Sequence, residues 1–174
     1  SPQRKDAWEK AVGASQFNRD YMPKGTLYGH LIGSPYAHAR IRSVDVSEAL
    51  REEGVHAVLT ADSARPLLGT WIEDRPALAL GKVRYYREPV AVVIANTEYQ
   101  AARAAAKVKV EYEPLPVVNS ISDALSPDAP LVHEDLSRYN KVKSFVYPQP
   151  GTNICHWTKI RKGDMEEGWA QSEV

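Results

Sequence analysis

The side chains able to do chemistry in this chain are few and scattered. His133-Glu134-Asp135 has the opening of a zinc-hydrolase helix, in which two histidines four residues apart hold the metal and the glutamate acts as base. Ser137 stands where the second histidine is required, so the metal face is incomplete. Gly33-Ser34-Pro35, with His30 and His38 nearby, offers a hydroxyl and a histidine base, but the Gly-x-Ser-x-Gly elbow that exposes a nucleophile is absent. A Ser-Pro pair after a strand reads instead as a turn. Glu111 and Glu113 flank Tyr112 on one strand face, as an acid/base pair would, although a solvated edge satisfies the same spacing. Cys155 is the single cysteine; it can form no internal disulfide and falls far short of the four thiolates that usually hold an iron–sulfur cluster. Neither a Gly-x-Gly-x-x-Gly fingerprint nor a phosphate loop occurs.

The elements that would position these residues follow from periodicity. Residues 1–22 read as a polar arm with isolated aromatics, Trp8, Phe17 and Tyr21, ended by the turn Pro23-Lys24-Gly25. A strand runs from Thr26 to Ile32 and a second from Ala39 to Asp45. Asp45 is placed to cap a short helix over Ser47 to Glu53, and Val55 to Thr60 is the next strand. A long loop after Asp62 carries Trp71 and Ile72. Val83 to Tyr86 is a short strand, and Val90 to Ala95 is an apolar run of strand length, expected to be covered on both faces and to form the centre of the core. Thr97 and Gln100 form a capping-box pattern at the head of an alanine-rich helix. Val108 to Tyr112 alternates like a half-exposed strand, and Asn119 to Leu125 suits one more short helix. From Pro127 to Gln149 periodicity is lost, Ile154 to Ile160 suits a strand, and Asp164 is an N-cap for a final helix containing Met165 and Trp169. The irregular alternation of strands and helices predicts an α+β fold with a mixed sheet and a few short helices.

Composition narrows the class. The chain has 174 residues, 22 Lys plus Arg against 22 Asp plus Glu, and 43% hydrophobic residues, the profile of a globular domain with its own core. With no net charge and no basic stripe, nucleic acid is not an expected partner. No apolar run reaches membrane-spanning length and the start lacks a signal-peptide layout, so a cytoplasmic location without membrane contact is expected.

Several stretches together resemble the opening of the α/β-hammerhead domain of the xanthine dehydrogenase and aldehyde oxidase family, the molybdenum hydroxylases. They are Lys24 to Gly29, Ser34-Pro35-Tyr36-Ala37-His38-Ala39-Arg40-Ile41, Val58 to Asp62, Glu88-Pro89-Val90-Ala91, and Val108 to Pro116, in the family's order and spacing. Gly163-Asp164 with Gly168-Trp169-Ala170 is similar to the connector into the molybdopterin-binding part of such enzymes. The chain departs from the pattern at Arg87, where a glycine is usual, and at Lys10 to Gly13.

The resemblance implies a hammerhead domain over residues 1–126, followed over 127–174 by an extended linker and the start of the connection to the molybdopterin-binding domain. It implies an enzyme that hydroxylates an aldehyde or N-heterocycle carbon with oxygen from water, in which this part has a structural and gating role. No catalytic, cofactor-binding or metal-binding residue is assigned to the chain itself, which is expected to be inactive alone. Molybdopterin-molybdenum belongs to the whole enzyme, with 2Fe-2S clusters and FAD on partner domains or subunits. Tyr28, Ser34, Pro35, His38, Glu88 and Pro89 are the family-motif and interface residues, and Trp71 with Ile72 corresponds to the substrate funnel. Apolar surface left uncovered would favour self-association of the fragment. A stand-alone protein-binding module, clasping a partner with its arm and tail, is the competing reading.

Overall fold

The computed structural model describes residues 4–63 and 66–172. Its eight strands among the described residues fall into three small sheets, ordered β1-β7-β3, β6-β2-β8 and β4-β5. These strands are β1 (Tyr28–Gly33), β2 (Ala39–Asp45), β3 (Val55–Thr60), β4 (Leu67–Leu68), β5 (Arg75–Pro76), β6 (Lys82–Val83), β7 (Pro89–Ala95) and β8 (Lys109–Pro114). The helices are short: α1 (Ala7–Ala11), a 3₁₀ turn at Asn18–Asp20, α2 (Ser47–Leu50), α3 (Glu98–Ala105), α4 (Ile121–Ala124) and α5 (Met165–Gln171). The α+β expectation holds, with the strands divided among three small sheets.

The chain divides into two compact units. The first takes residues up to Leu31, 45–58 and 92–109. Here α3 packs against α2, and Ala101 and Ala104 of α3 and Ala49 of α2 are fully buried because alanine lets elements approach closely. Thr97 caps α3 by accepting the amide of Gln100 at 3.2 Å. The reciprocal half of the expected box differs, since the Thr97 hydroxyl donates to the Gln100 side-chain oxygen instead. Helix α2 is shorter than expected and starts after Val46, with Asp45 accepting the amide of Ser47 at 2.9 Å. Arg103 and Lys107 flank the Glu52 carboxylate and Lys109 meets Glu48, and the hydrogen bond from Lys107 holds Glu52 below the usual carboxylate range.

The second unit takes residues 32–44, 59–91 and Val110 onward. Strands β2 and β6 pair antiparallel, with Ala39 opposite Val83 and Arg40 opposite Lys82. Ala39, Ala79, Val83 and Val90 form its buried cluster, with Ile41, Val44, Val110 and Tyr112 packed against it. The apolar run of β7 is buried as its sequence demands, with Val90 and Ala91 of this unit and Val93 and Ala95 of the first inaccessible and the other two aliphatics half-buried. In the stretch without periodicity, Leu136 and Val146 are buried in this unit as well. Ile154 to Ile160 forms no strand. Its backbone meets a loop instead, with Gln149 N–H donating to the Ile154 carbonyl at 3.0 Å and Trp157 N–H to the Tyr147 carbonyl at 3.1 Å. Asp164 caps α5 as expected, accepting from Glu166 and Glu167 amides at 2.9 and 3.2 Å.

Candidate functional site

The motif residues of the second unit converge. Ser34 sits in a tight turn in which its hydroxyl donates to the Tyr36 carbonyl at 2.9 Å and accepts the Tyr36 amide at 3.0 Å, with Pro35 between them. Its backbone pairs with the Glu88-Pro89 motif: Ser34 N–H donates to the Glu88 carbonyl at 3.0 Å, and Arg87 N–H to the Ser34 carbonyl at 2.8 Å. Gly33 permits this approach, since a Cβ there would lie 2.9 Å from the Arg87 carbonyl oxygen. Pro89 offers its carbonyl to the amide of Ala79 at 2.7 Å. Tyr28 begins β1 in the other unit and is half-buried.

Arg87 itself has φ 63°, the left-handed region in which a side chain is disfavoured, at the position where glycine is usual. The turn it completes aims the Glu88 carboxylate inward, where it accepts the Arg84 amide at 2.5 Å. Burial pushes the Glu88 carboxyl above its ordinary value.

His38 is buried, and its Nδ1 donates to the carbonyl of Pro116 at 2.5 Å, while Nε2 has no partner among the described residues. Together with Leu115 N–H donating to the His38 carbonyl at 2.9 Å, this bond joins the Ser34–Ile41 motif to the end of the Val108–Pro116 motif.

A second polar group escaped sequence reasoning. Lys82 is buried and its ammonium donates to both Glu134 oxygens at 2.7 Å and to the Leu131 carbonyl at 3.0 Å. Arg84 reaches the Val132 carbonyl at 3.1 Å. The segment from Leu131 to Glu134 is thus held by two cations of one strand-and-turn, and no local pattern signals a pairing over such a distance. Glu134 serves this ion pair, and His133 faces the Tyr139 hydroxyl at 3.1 Å, so the histidine-glutamate motif has structural duties. Burial drives the His133 imidazole below its usual value.

Arg84, Glu88, His133, Asp74 and Arg75 line a cavity of about 130 Å³. A neighbouring one of about 320 Å³ is shared by Asp74, His133 and Cys155. These groups can hold a small polar molecule by hydrogen bonds, but no three His, Cys, Asp or Glu converge to ligate a metal among the described residues. Cys155 is the single cysteine and is exposed, so the chain's own thiol does not fit an iron–sulfur cluster, and no molybdenum ligand set is formed among the described residues. Glu111 accepts the Ser43 hydroxyl at 2.9 Å and Glu113 meets Arg42, which uses both carboxylates in packing the sheet.

Trp71 is half-exposed at the start of a clasp. Its carbonyl accepts Val142 N–H at 2.9 Å, and Ile72 bridges antiparallel to Lys141. The Trp71 ring stands edge-on to Phe145 at 5.7 Å and to His156 at 6.4 Å between centroids. The hairpin of β4 and β5 presents this pair, and Gly69 is required there because a Cβ would overlap the Ile72 carbonyl oxygen.

Comparison with known proteins places this geometry. Residues 12–116 match the family model for the aldehyde oxidase and xanthine dehydrogenase a/b hammerhead domain. Over 130 residues the chain is 42% identical to the carbon monoxide dehydrogenase large chain of Hydrogenophaga pseudoflava, covering 72% of this chain and 16% of that one. It is 36% identical over 173 residues to a probable xanthine dehydrogenase subunit of Bacillus subtilis, covering 98% and 21%. Among solved structures, a Cu,Mo-CO dehydrogenase in its carbon monoxide reduced state matches with a TM-score of 0.72 and 38% identity over 77% of this chain and 18% of that one. The chain therefore spans 16% and 21% of the length of these two curated relatives. No helix among the described residues is long and apolar enough to cross a membrane. With the motif strands, the paired turns and the sequence match in agreement, the chain belongs to the aldehyde oxidase and xanthine dehydrogenase family of molybdenum-dependent oxidoreductases, as its α/β-hammerhead domain.

Proposed function

We propose that the chain is the structural and substrate-gating part of a larger molybdenum-dependent hydroxylase that oxidises an aldehyde or N-heterocycle carbon with oxygen from water. The observation that carries this reading is the hammerhead match over residues 12–116, within relatives of which only 16% and 21% of the length is covered. On this reading residues 1–126 are the hammerhead domain, and 127–174 lead toward a molybdopterin-binding domain of the same protein. Tyr28, Ser34, Pro35, His38, Glu88 and Pro89 hold the turns that dock there. Trp71 and Ile72 face the substrate path, and the chain alone is inactive. Molybdopterin supplies the oxidising metal centre in the whole enzyme, and iron–sulfur and flavin partners carry electrons away. Such partners are supported by two relatives that are themselves named as subunits, one of a xanthine dehydrogenase and one, the gamma subunit, of a 6-hydroxypseudooxynicotine dehydrogenase complex. The assembly is placed in the cytoplasm, and the fragment alone self-associates. Carbon monoxide is a second substrate to test, favoured by 42% and 43% identity to two carbon monoxide dehydrogenase large chains.

Elemental analysis tests the central statement. Molybdenum is expected in the longer product of this reading frame, purified with co-encoded partners, and not in the 174-residue chain. A molybdenum-free longer product overturns the reading and favours a stand-alone binding module. Trp71→Ala with Ile72→Ala in the whole enzyme should shift substrate preference at unchanged molybdenum content, and unchanged preference removes the gating role.

A further inference from the structure

Trp71 and Ile72 sit in the loop between β4 and β5, two strands of two residues each that pair with one another. A two-stranded ribbon that short does not hold its own loop in one conformation. The bonds that do hold it come from far along the chain. Glu73 N–H donates to the Asn140 carbonyl at 2.9 Å, and the Asn140 side chain donates to the Glu73 carboxylate, also at 2.9 Å. The Trp71 carbonyl accepts Val142 N–H at 2.9 Å and Lys143 N–H at 3.3 Å, and Ile72 bridges antiparallel to Lys141. Residues 140–143 thus lie along residues 71–73 as a neighbouring strand would.

The Trp71 ring rests on the same stretch. Phe145 stands edge-on to it at 5.7 Å and His156 at 6.4 Å between centroids, both within the range in which aromatic rings attract. His156 is itself placed, because its Nδ1 accepts Tyr147 N–H at 3.1 Å and its ring stacks on Tyr147 at 6.3 Å. Val146, next to Phe145, is buried and anchors the stretch in the second unit. Trp71 lies within residues 12–116, which match the hammerhead model, whereas the residues that hold it lie beyond that span.

We infer that Asn140, Phe145 and His156 are positioning residues for Trp71 and set substrate preference through it. The inference rests on the reading of Trp71 and Ile72 as facing the substrate path. With Leu68, Asp74 and Arg75 these two line a depression of about 340 Å³, so one wall of that depression shifts when the indole loses its supports. A wall of this kind binds reactant and transition state alike, and its displacement changes KM more than kcat.

The test uses the full-length protein purified with its co-encoded subunits, with acetaldehyde as a compact substrate and quinoline as a broad, flat one. Trp71→Ala should change the ratio of the two kcat/KM values about tenfold, mainly through KM. Phe145→Ala and His156→Ala should move the ratio in the same direction, and Phe145→Tyr, which keeps the ring, should match the wild type. In a Trp71→Ala background Phe145→Ala should add nothing, because its route of action is gone. Hydrogen exchange, read by mass spectrometry on the same complexes, is the second measurement. Phe145→Ala, His156→Ala and Asn140→Ala should each speed exchange of residues 71–73 and 140–143 about tenfold and leave β7 as it is.

A ratio unmoved in Trp71→Ala overturns the substrate-path reading, and this inference with it. A ratio moved by Trp71→Ala but by neither Phe145→Ala nor His156→Ala overturns the inference and leaves that reading standing. So does a Phe145→Ala effect of equal size with and without Trp71. Exchange unaltered at residues 71–73 in all three variants also overturns it, including in an enzyme that turns over neither substrate. Asn140 is exposed and His156 half-buried, so their alanine variants decide should Phe145→Ala not fold.

Discussion

The imidazole of His38 donates through Nδ1 to the carbonyl of Pro116, closing 78 residues of chain with one buried bond. It ties the end of the β8 motif to the head of β2. His38→Ala removes the donor and opens a cavity, and should cost about 2 kcal/mol. His38→Asn keeps an N–H and should cost about half as much. Urea unfolding of the two variants checks the order, and equal losses would show that packing, not the bond, matters.

Arg87 holds φ 63° without the freedom of glycine. Arg87→Gly should stabilise the chain by about 1 kcal/mol, since the left-handed conformation costs a side chain about that much. Gly33→Ala, whose Cβ would press on the Arg87 backbone at 2.9 Å, should do the reverse. Thermal unfolding of the pair reads both signs.

The Lys82–Glu134 pair is asymmetric, with side-chain exposure of 7% against 47%. Removing Glu134 strands a buried cation, whereas removing Lys82 leaves a carboxylate that turns to water. Glu134→Gln should therefore cost about 2 kcal/mol and Lys82→Met about 1 kcal/mol or less, values reduced from those of fully buried pairs by the solvent around Glu134. A double-mutant cycle by urea unfolding tests the inequality.

Burial raises the Glu88 carboxyl above 4.5, its ordinary value. Between that value and the raised one the folded chain binds more protons than the unfolded chain, so this group's contribution to stability falls as pH climbs through the window. Glu134, Glu48 and Glu52 act oppositely; their lowered carboxyls contribute stability that is lost as pH drops below 4.5. Glu88→Gln should thus gain on the wild type as pH rises from about 4.5 toward neutrality, measured as unfolding free energy across pH. A constant difference would mean that the carboxyl does not titrate there.

Local pattern settled much of this chain. The apolar run of β7, the Thr97 and Asp164 caps, and the alternation of β8 are each decided by neighbours a few residues apart, and all are present. The ordered motifs from Lys24 to Pro116 are also enough to identify the hammerhead without any coordinate. What tertiary structure alone decided lies between distant residues. Lys82 finds Glu134 across 52 positions, His38 finds Pro116, and Leu136 and Val146 are buried although no period announces them. The stretch from Ile154 to Ile160 reads as a strand in the sequence, but its backbone meets the loop of Tyr147 and Gln149 rather than a strand edge. A strand exists only where another backbone completes its ladder, and that partner is chosen by the closed chain, not by the segment.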